Sequence, residues 1–460
     1  MSHELKRSLG IIVAMGIDAL HAPTRSPSRG EGSNHPSPFG GGKVGVRVAL
    51  HAPTPNPSRW EGRLAITVLT ITLTLLTLVL LGTAAYQQYL LRGWAQLPTV
   101  RDWQAGRPAP FISIIVPARD EQAMVGACLA SLLAQSYPRE RYEVIVVDDN
   151  STDHTLSVIT TLARQHDNLL VVSGGPLPSG WTGKCYAIYQ AVQRTSPAAD
   201  YLLFVDADTV SQPHALTSAL DYMQRERLDL LSLHPFQVLG SFWEKVVQPV
   251  VFSTALADRP LQKVNDPSNL TAAANGQFLM VKRSAYELLG GHRAVRERII
   301  EDYALGELFK GAGKRIRLLV GFDIVSTRMY KSLAEIWQGW SKNFYIAIGS
   351  PLLALSLALL LFIISVLPAL LLFGGLIGLL TAGPTHAALW LLGAGVVQFT
   401  VLLLMRLQWN GILKLSPLWS LSHPLGALVV EAILINSMVR ILSGRGVTWK
   451  ARTYAGQTID

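Results

Sequence analysis

The chain has 460 residues, of which 49% are hydrophobic and only 15% charged, and its formal net charge is +9. A charge fraction well below the roughly 25% of soluble domains excludes a wholly soluble protein, and the positive balance suits an anionic membrane surface and an anionic substrate. No basic stretch is interleaved with aromatics, so nothing points to nucleic acid. The two cysteines, Cys128 and Cys185, have no metal or redox spacing and read as buried, reduced thiols.

Residues 1–62 are rich in Pro, Gly, Ser and His and carry a repeat, Ala19-Leu20-His21-Ala22-Pro23-Thr24 returning as Ala49-Leu50-His51-Ala52-Pro53-Thr54. Such a composition buries no core, and the segment is expected to be a disordered extension or a start assigned too far upstream. It lacks the charged, apolar and small-residue regions of a signal peptide. Residues 64–86 hold no charge and predict a membrane helix, followed by a basic, polar linker through Arg107.

From Phe111 the pattern alternates. Phe111–Val116, Tyr142–Val147, Leu169–Val172, Tyr201–Val205 and Leu228–Leu233 predict strands, and Met124–Ala134 and Thr155–Gln165 carry helix-period apolar positions. This alternation predicts an α/β domain over 111–345, with a mostly parallel sheet and helices on both faces. Ligands of open α/β sheets bind beyond the carboxyl ends of the strands. Three strands end there in polar residues, Arg119-Asp120-Glu121, Asp148-Asp149 and Asp206/Asp208, which gather on one rim.

Residues 350–443 predict a C-terminal membrane region of three to four spans, with Pro368 and Gly374-Gly375 as break points. His423, Pro424 and Glu431 mark its last segment as an interfacial or broken helix. The tail, 444–460, is basic. With Arg440, Arg445, Lys450 and Arg452 it favours the cytoplasm by the positive-inside rule. A catalytic domain on that same side requires an even number of C-terminal spans, and four is the expected number.

Asp206-Ala207-Asp208 closes the apolar run 201–205. Hard divalent cations take oxygen ligands, and Mg²⁺ is commonly held by one or two carboxylates plus substrate phosphates, so the pair suggests a metal carrying a phosphorylated substrate. The bland alternative is a solvated loop start. Val147-Asp148-Asp149-Asn150-Ser151-Thr152-Asp153 offers carboxylates to a base N–H or a ribose hydroxyl, or else an Asx turn before the helix near Thr155.

Pro117-Ala118-Arg119-Asp120-Glu121, then 147–153, then 206–208, in that order, resembles the family 2 glycosyltransferases of the GT-A fold, a Rossmann-like nucleotide-diphospho-sugar transferase domain. The resemblance covers about half the chain. With the flanking transmembrane helices it is most similar to the bacterial branch of hopanoid-associated and carotenoid glycosyltransferases. It implies that Pro117, Arg119 and Glu121 line the nucleotide pocket and that Asp149 contacts the base, commonly uracil. It also implies that Asp208 is the principal ligand of Mn²⁺ or Mg²⁺, with Asp206 near ribose and metal.

Gly180-Trp181-Thr182-Gly183-Lys184 lacks Walker spacing, yet its glycines permit close backbone approach and Lys184 can meet a phosphate. The resemblance assigns Lys184 to the donor site, and an ordinary loop lysine is the alternative. In Ile300-Glu301-Asp302-Tyr303 it assigns Asp302 as the base that deprotonates the acceptor, with Glu301 beside it. Favourable placement at a helix N-terminus is the structural alternative. Asn275 and Gln277 can donate to sugar or phosphate. Trp337-Gln338-Gly339-Trp340-Ser341-Lys342-Asn343 stands where processive members carry Gln-x-x-Arg-Trp. The arginine is missing, which favours transfer of a single sugar. Trp340 and Lys342 either cover acceptor and pyrophosphate or pack at the membrane interface.

The expected function is therefore inverting transfer of one sugar from a nucleotide-sugar, a UDP-sugar, to a lipid acceptor such as a hopanoid or carotenoid. The expected site is a multi-pass protein of the bacterial cell membrane whose catalytic domain is cytoplasmic. A processive polysaccharide synthase is the nearest alternative. A haloacid-dehalogenase-type phosphatase would also end a strand in Asp-x-Asp, but Thr209-Val210 come one residue too early for it. A non-enzymatic scaffold is expected to have lost one of Asp149, Asp208 and Asp302.

Overall fold

The computed structural model describes residues 57–104, 108–449 and 452–454; the repeat of the N-terminal segment lies outside them. The chain divides into two compact units, Met1–Thr72 and Leu73–Asp460. The described part of the first is the opening of a single helix, Pro57–Arg92, longer at both ends than the apolar run that predicts it.

The α/β domain is built on a seven-stranded sheet. Its strands, in chain order, are β1 (Phe111–Ala118), β2 (Tyr142–Asp148), β3 (Leu169–Ser173) and β4 (Ala199–Phe204), then β6 (Leu230–His234), β8 (Leu279–Lys282) and β9 (Ile316–Val320). Between them β5 (Thr209–Ser211), β7 (Phe236–Gln237) and β10 (Val325–Thr327) form a separate three-stranded sheet. The large sheet has the order β3-β2-β1-β4-β8-β6-β9. β1 to β4 pair in parallel, β8 runs antiparallel between β4 and β6, and β6 pairs in parallel with β9. Six of the seven strands thus run parallel, as the alternation predicts, and β8 alone is antiparallel.

Both faces are covered, as the unbroken apolar runs require. Ile112, Ile114, Val116, Val144, Val146 and Leu203 point into one core, and Ile115, Ile145, Val147, Leu202 and Phe204 into the other. Fully burying each such side chain stabilises the fold by roughly 1.5–3 kcal/mol. The order 3-2-1-4 reverses direction between β1 and β4. That is the switch point at which such sheets open a crevice at their carboxyl ends.

Beyond the domain, four helices among the described residues are long and apolar enough to cross a membrane: Leu64–Arg92, Pro351–Ala382, His386–Ile412 and Pro417–Leu442. Three of them are C-terminal. Residues 351–382 form one helical stretch with a π turn, Phe362–Val366, just before Pro368. A proline without an amide accounts for that irregularity. Gly374-Gly375 is no break. A Cβ on Gly375 would stand 2.3 Å from Leu392 N, and one on Gly395 2.3 Å from Leu372 N, so these glycines let two helix backbones meet.

Candidate active site

Four segments converge beyond the carboxyl ends of β1 and β4. The first is the pair of loops after β1 and β2. Thr152 N donates to Asp120 Oδ1 (2.7 Å), Asp120 N to Ser151 Oγ (3.0 Å) and Glu121 N to Thr155 Oγ1 (2.7 Å). Arg119 Nη1 donates to the carbonyl of Asp149 (2.8 Å), whose amide donates to Ala118 O. Arg119 therefore braces the Asp149 turn. The Asx-turn alternative holds for Asp153, which accepts from Thr155 N and Gln122 N. Against the raising effect of burial, these bonds hold its carboxyl below the ordinary aspartate range. Asp149 itself is buried beside the turn.

The second segment follows β4. Asp206 and Asp208 are half-buried and Ala207 between them is buried. The third is the loop 180–184. Gly180 takes a left-handed φ of +77°, and Trp181 packs against Tyr186 and Tyr189 of the helix Gly183–Val192. That clamp aims Lys184 inward, where its Nζ lies 2.7 Å from Asp206 Oδ1 and 2.7 Å from Glu301 Oε1. Burial lowers an ammonium's pKa, but Asp206, Glu301 and Asp302 outweigh it and hold Lys184 well above the ordinary lysine range.

The fourth is the N-terminus of the helix Glu301–Gly311. Gly276 N donates to Asp302 Oδ2 (2.7 Å) and Tyr303 N to Oδ1 (2.8 Å). The carboxylate thus stands at the helix start and also lines the cleft. Burial first, then the neighbouring Glu301 carboxylate, push Asp302 up to about 6, against Lys184 and the two amides. A carboxylate with that value is poised to take up a proton near neutrality. Gly306 seats this helix against Ala273 and Ala274, where a Cβ would meet backbone at 3.0 Å.

Asn275 and Gln277 flank the site. Asn275 Nδ2 contacts His234 Nδ1 (3.2 Å) and Gln277 Oε1 (3.3 Å), and burial pushes His234 down to about 4, leaving it neutral. Lys342, on the helix Leu333–Ile348, faces the same carboxylates. Burial holds it below the lysine range, while Glu301, Asp206 and Asp302 oppose that. Trp340 Nε1 donates to Gln248 Oε1 (2.9 Å), and its ring stacks on Phe344. Trp340 thus joins the packing, while Lys342 joins the charged cluster.

Residues that no motif singled out also border the site. Tyr330 is buried in the field of Asp208, Asp206 and Glu121, which with burial raise its phenol. Its ring meets Trp340 edge-on at 6.0 Å. Pro117, Phe204 and His292 complete the cleft lined by Lys184, Asp206 and Asp302.

The donor set fits a divalent cation that shares its ligands with a substrate. Asp206 and Asp208 supply two carboxylates, and among the described residues no group of three or more His, Cys, Asp or Glu forms a closed cage. Phosphate oxygens would supply the remaining ligands.

The model of glycosyl transferase family 2 matches residues 113–289, a span that holds Pro117, Asp149, Lys184, Asp206 and Asp208. These residues form a family 2 glycosyltransferase domain. Its mixed α/β sheet is that of the GT-A fold expected from the motifs. The glycosyltransferase domain is similar to the 4,4'-diaponeurosporenoate glycosyltransferase of Staphylococcus haemolyticus, 28% identical over 58% of this chain and 70% of that protein. The enzyme of that name from Staphylococcus aureus is 31% identical over 50% of this chain and 60% of its own. Among solved structures, a mannosyltransferase from Pyrobaculum calidifontis in complex with GDP-Man and Mn²⁺ aligns at a TM-score of 0.45. It is 19% identical and covers 82% of this chain and 99% of that one.

Proposed function

We propose that the chain is a membrane-bound, inverting glycosyltransferase that moves one sugar from a UDP-sugar to a lipid acceptor of the carotenoid or hopanoid class. The observation that carries this reading is the Lys184 bridge, which ties the donor-side Asp206 to Glu301, the neighbour of Asp302. Donor and base functions thereby share one cleft. The carotenoid acids in the names of the similar staphylococcal enzymes support the acceptor class.

In this reading Asp149, braced by Arg119, receives the nucleoside, with Pro117 and Glu121 beside it. Asp208 and Asp206 hold a Mn²⁺ or Mg²⁺ ion, which when bound neutralises charge on the departing diphosphate. Lys184 offers a second positive charge to the phosphates. Asp302 accepts the proton of the acceptor hydroxyl as its oxygen bonds the anomeric carbon and the bond to diphosphate breaks on the opposite face. Its two amide contacts hold the carboxylate in orientation. Asn275, Gln277, Trp340 and Lys342 border the acceptor side. A cell-membrane location with the catalytic domain in the cytoplasm agrees with the basic tail.

The test is a transfer assay with UDP-sugars labelled in the sugar and a lipid extract from cells that express the protein. Label in one organic-soluble product bearing a single sugar supports the proposal. Label in a growing polymer would favour the processive alternative, and label as free sugar alone would contradict both.

A further inference from the structure

The helix His423–Leu442 lies in a span, Pro417–Leu442, apolar enough to cross a membrane, yet one side of it packs on the catalytic domain. A Cβ on Gly426 would stand 2.3 Å from Val246 O, in the helix Phe242–Asp258. Val430 and Ile433 share a core with Val246, Val250 and Ile336. Asn436 Nδ2 donates to Ser341 Oγ (3.1 Å), and Ser437 Oγ donates to Ser341 O (2.6 Å). Ser341 precedes Lys342, whose ammonium lies in the field of Glu301, Asp206 and Asp302. Ser437 is thus level with the charged cleft. Carboxylates that receive a diphosphate and a divalent ion cannot sit at the centre of a bilayer.

The contacts of the other helices separate crossing from non-crossing segments. Gln398 Nε2 donates to Thr77 Oγ1 (3.0 Å), and Gln87 Nε2 to Gln408 Oε1 (2.8 Å). The helices holding 73–92 and 386–412 therefore run in the same direction. Both end at the catalytic domain, where Tyr86 Oη donates to Ala257 O (3.0 Å) and Arg406 Nη2 to Lys245 O (2.6 Å). Gly375 against Leu392 and Gly395 against Leu372 make 367–382 the antiparallel partner of 386–412. Residues 351–361 lie elsewhere. Ala354 and Ala358 pack on Leu434 and Met438, and His423 Nε2 meets Ser365 Oγ at 3.1 Å. The pair 351–366 and 423–442 thus turns its inner side to the domain. Its outer side shows Leu352 (76% exposed), Leu359 (61%), Leu428 and Val439.

We propose that 351–366 and 423–442 form an apolar platform lying in the leaflet on the catalytic side. On this account the described residues from Leu73 onward cross the bilayer three times, through the helix that ends at Arg92 and through about 367–382 and 386–412. The occupant of the outer face is the lipid leaflet, because the platform continues directly into the crossing helix at the π turn. The tail then lies on the catalytic side, with two C-terminal crossings, which restores the even number the basic tail calls for. The strand Val447–Trp449 agrees, since it packs back on the helix Leu333–Ile348. The inference does not depend on which donor or acceptor the enzyme uses.

Single-cysteine variants of the full chain in oriented membrane vesicles test it, since the native Cys128 and Cys185 are buried. Asp167→Cys marks the domain, Pro384→Cys the turn between the crossing helices, and Ser443→Cys the start of the tail. With a membrane-impermeant maleimide, Ser443→Cys is expected to label from the same side as Asp167→Cys, and Pro384→Cys from the opposite side. Labelling of Ser443→Cys with Pro384→Cys, or equally from both sides, would overturn the proposal. A spin label at Leu359→Cys or Val439→Cys is expected at headgroup depth; a position at the bilayer centre would also overturn it.

Discussion

Lys184 Nζ lies 2.7 Å from Glu301 Oε1, so the cation of the Gly-Trp-Thr-Gly-Lys loop is held by the residue next to the proposed base. The same ammonium lies 2.7 Å from Asp206. One positive charge therefore balances the donor-side carboxylate and the base-side carboxylate together. Its removal or transfer to a phosphate alters the field at Asp302.

Lys184→Met removes a charge that lowers Asp302 and leaves Glu301 and burial, which raise it. In its proposed role as base Asp302 acts deprotonated, so activity rises with pH through its pKa. The acid limb of the rate profile, near pH 6 in the wild type, is expected to move to higher pH in Lys184→Met, with a higher KM for the donor. Profiles of kcat and kcat/KM check this. An unmoved limb would contradict the electrostatic role.

Glu301→Gln has the opposite sign at Asp302. It removes the like charge that raises the base, so the acid limb moves to lower pH. Opposite shifts in these two variants, measured under the same conditions, separate a field effect from general damage to the site.

Gly276 is tested by one added methyl. A Cβ there would stand 3.1 Å from Lys184 Nζ and 3.4 Å from Asp302 Oδ2. Gly276→Ala is expected to reduce kcat on the order of 10- to 100-fold through misplacement of the base. The melting temperature should change little, because the one atom nearer than 3.4 Å is the end of the flexible Lys184 side chain. Steady-state kinetics and thermal unfolding check the pair of outcomes.

Much of this site was legible because its carboxylates end apolar runs. Asp149, Asp206 and Asp208 each stand within four residues of the end of a strand, and the apolar runs locate them. β1 to β4 followed from the same runs. β8 (Leu279–Lys282) escaped because it has only four residues and pairs antiparallel in the middle of the sheet, where neither length nor alternation marks a strand. Its insertion makes the sheet mixed. Tyr330 escaped for another reason: its place beside Asp208 arises from tertiary packing, and a lone tyrosine in a connecting segment has no spacing to announce it. His234 did carry the strand-end signal, as the polar residue that closes β6, one position beyond the predicted end.

Arg328 and Glu244 test the frame behind Tyr330. Arg328 meets Glu244 with two contacts of 2.9 Å, and Glu244 is buried inside the capping box of the helix Phe242–Asp258. Arg328→Ala leaves that carboxylate without its cation and is expected to lose about 2–3 kcal/mol, less than the roughly 3–5 kcal/mol of a fully buried pair because the arginine is part exposed. Denaturant unfolding in detergent checks it, and an unchanged midpoint would contradict the role.

The central claim is that the carboxylate pair after β4 carries the donor through a divalent ion. The most direct measurement is release of UDP from UDP-glucose and related donors, with and without Mn²⁺, by the wild type and by Asp208→Ala. The account predicts Mn²⁺-dependent release by the wild type and a loss of at least about 100-fold in Asp208→Ala. Equal release by the two proteins would contradict it.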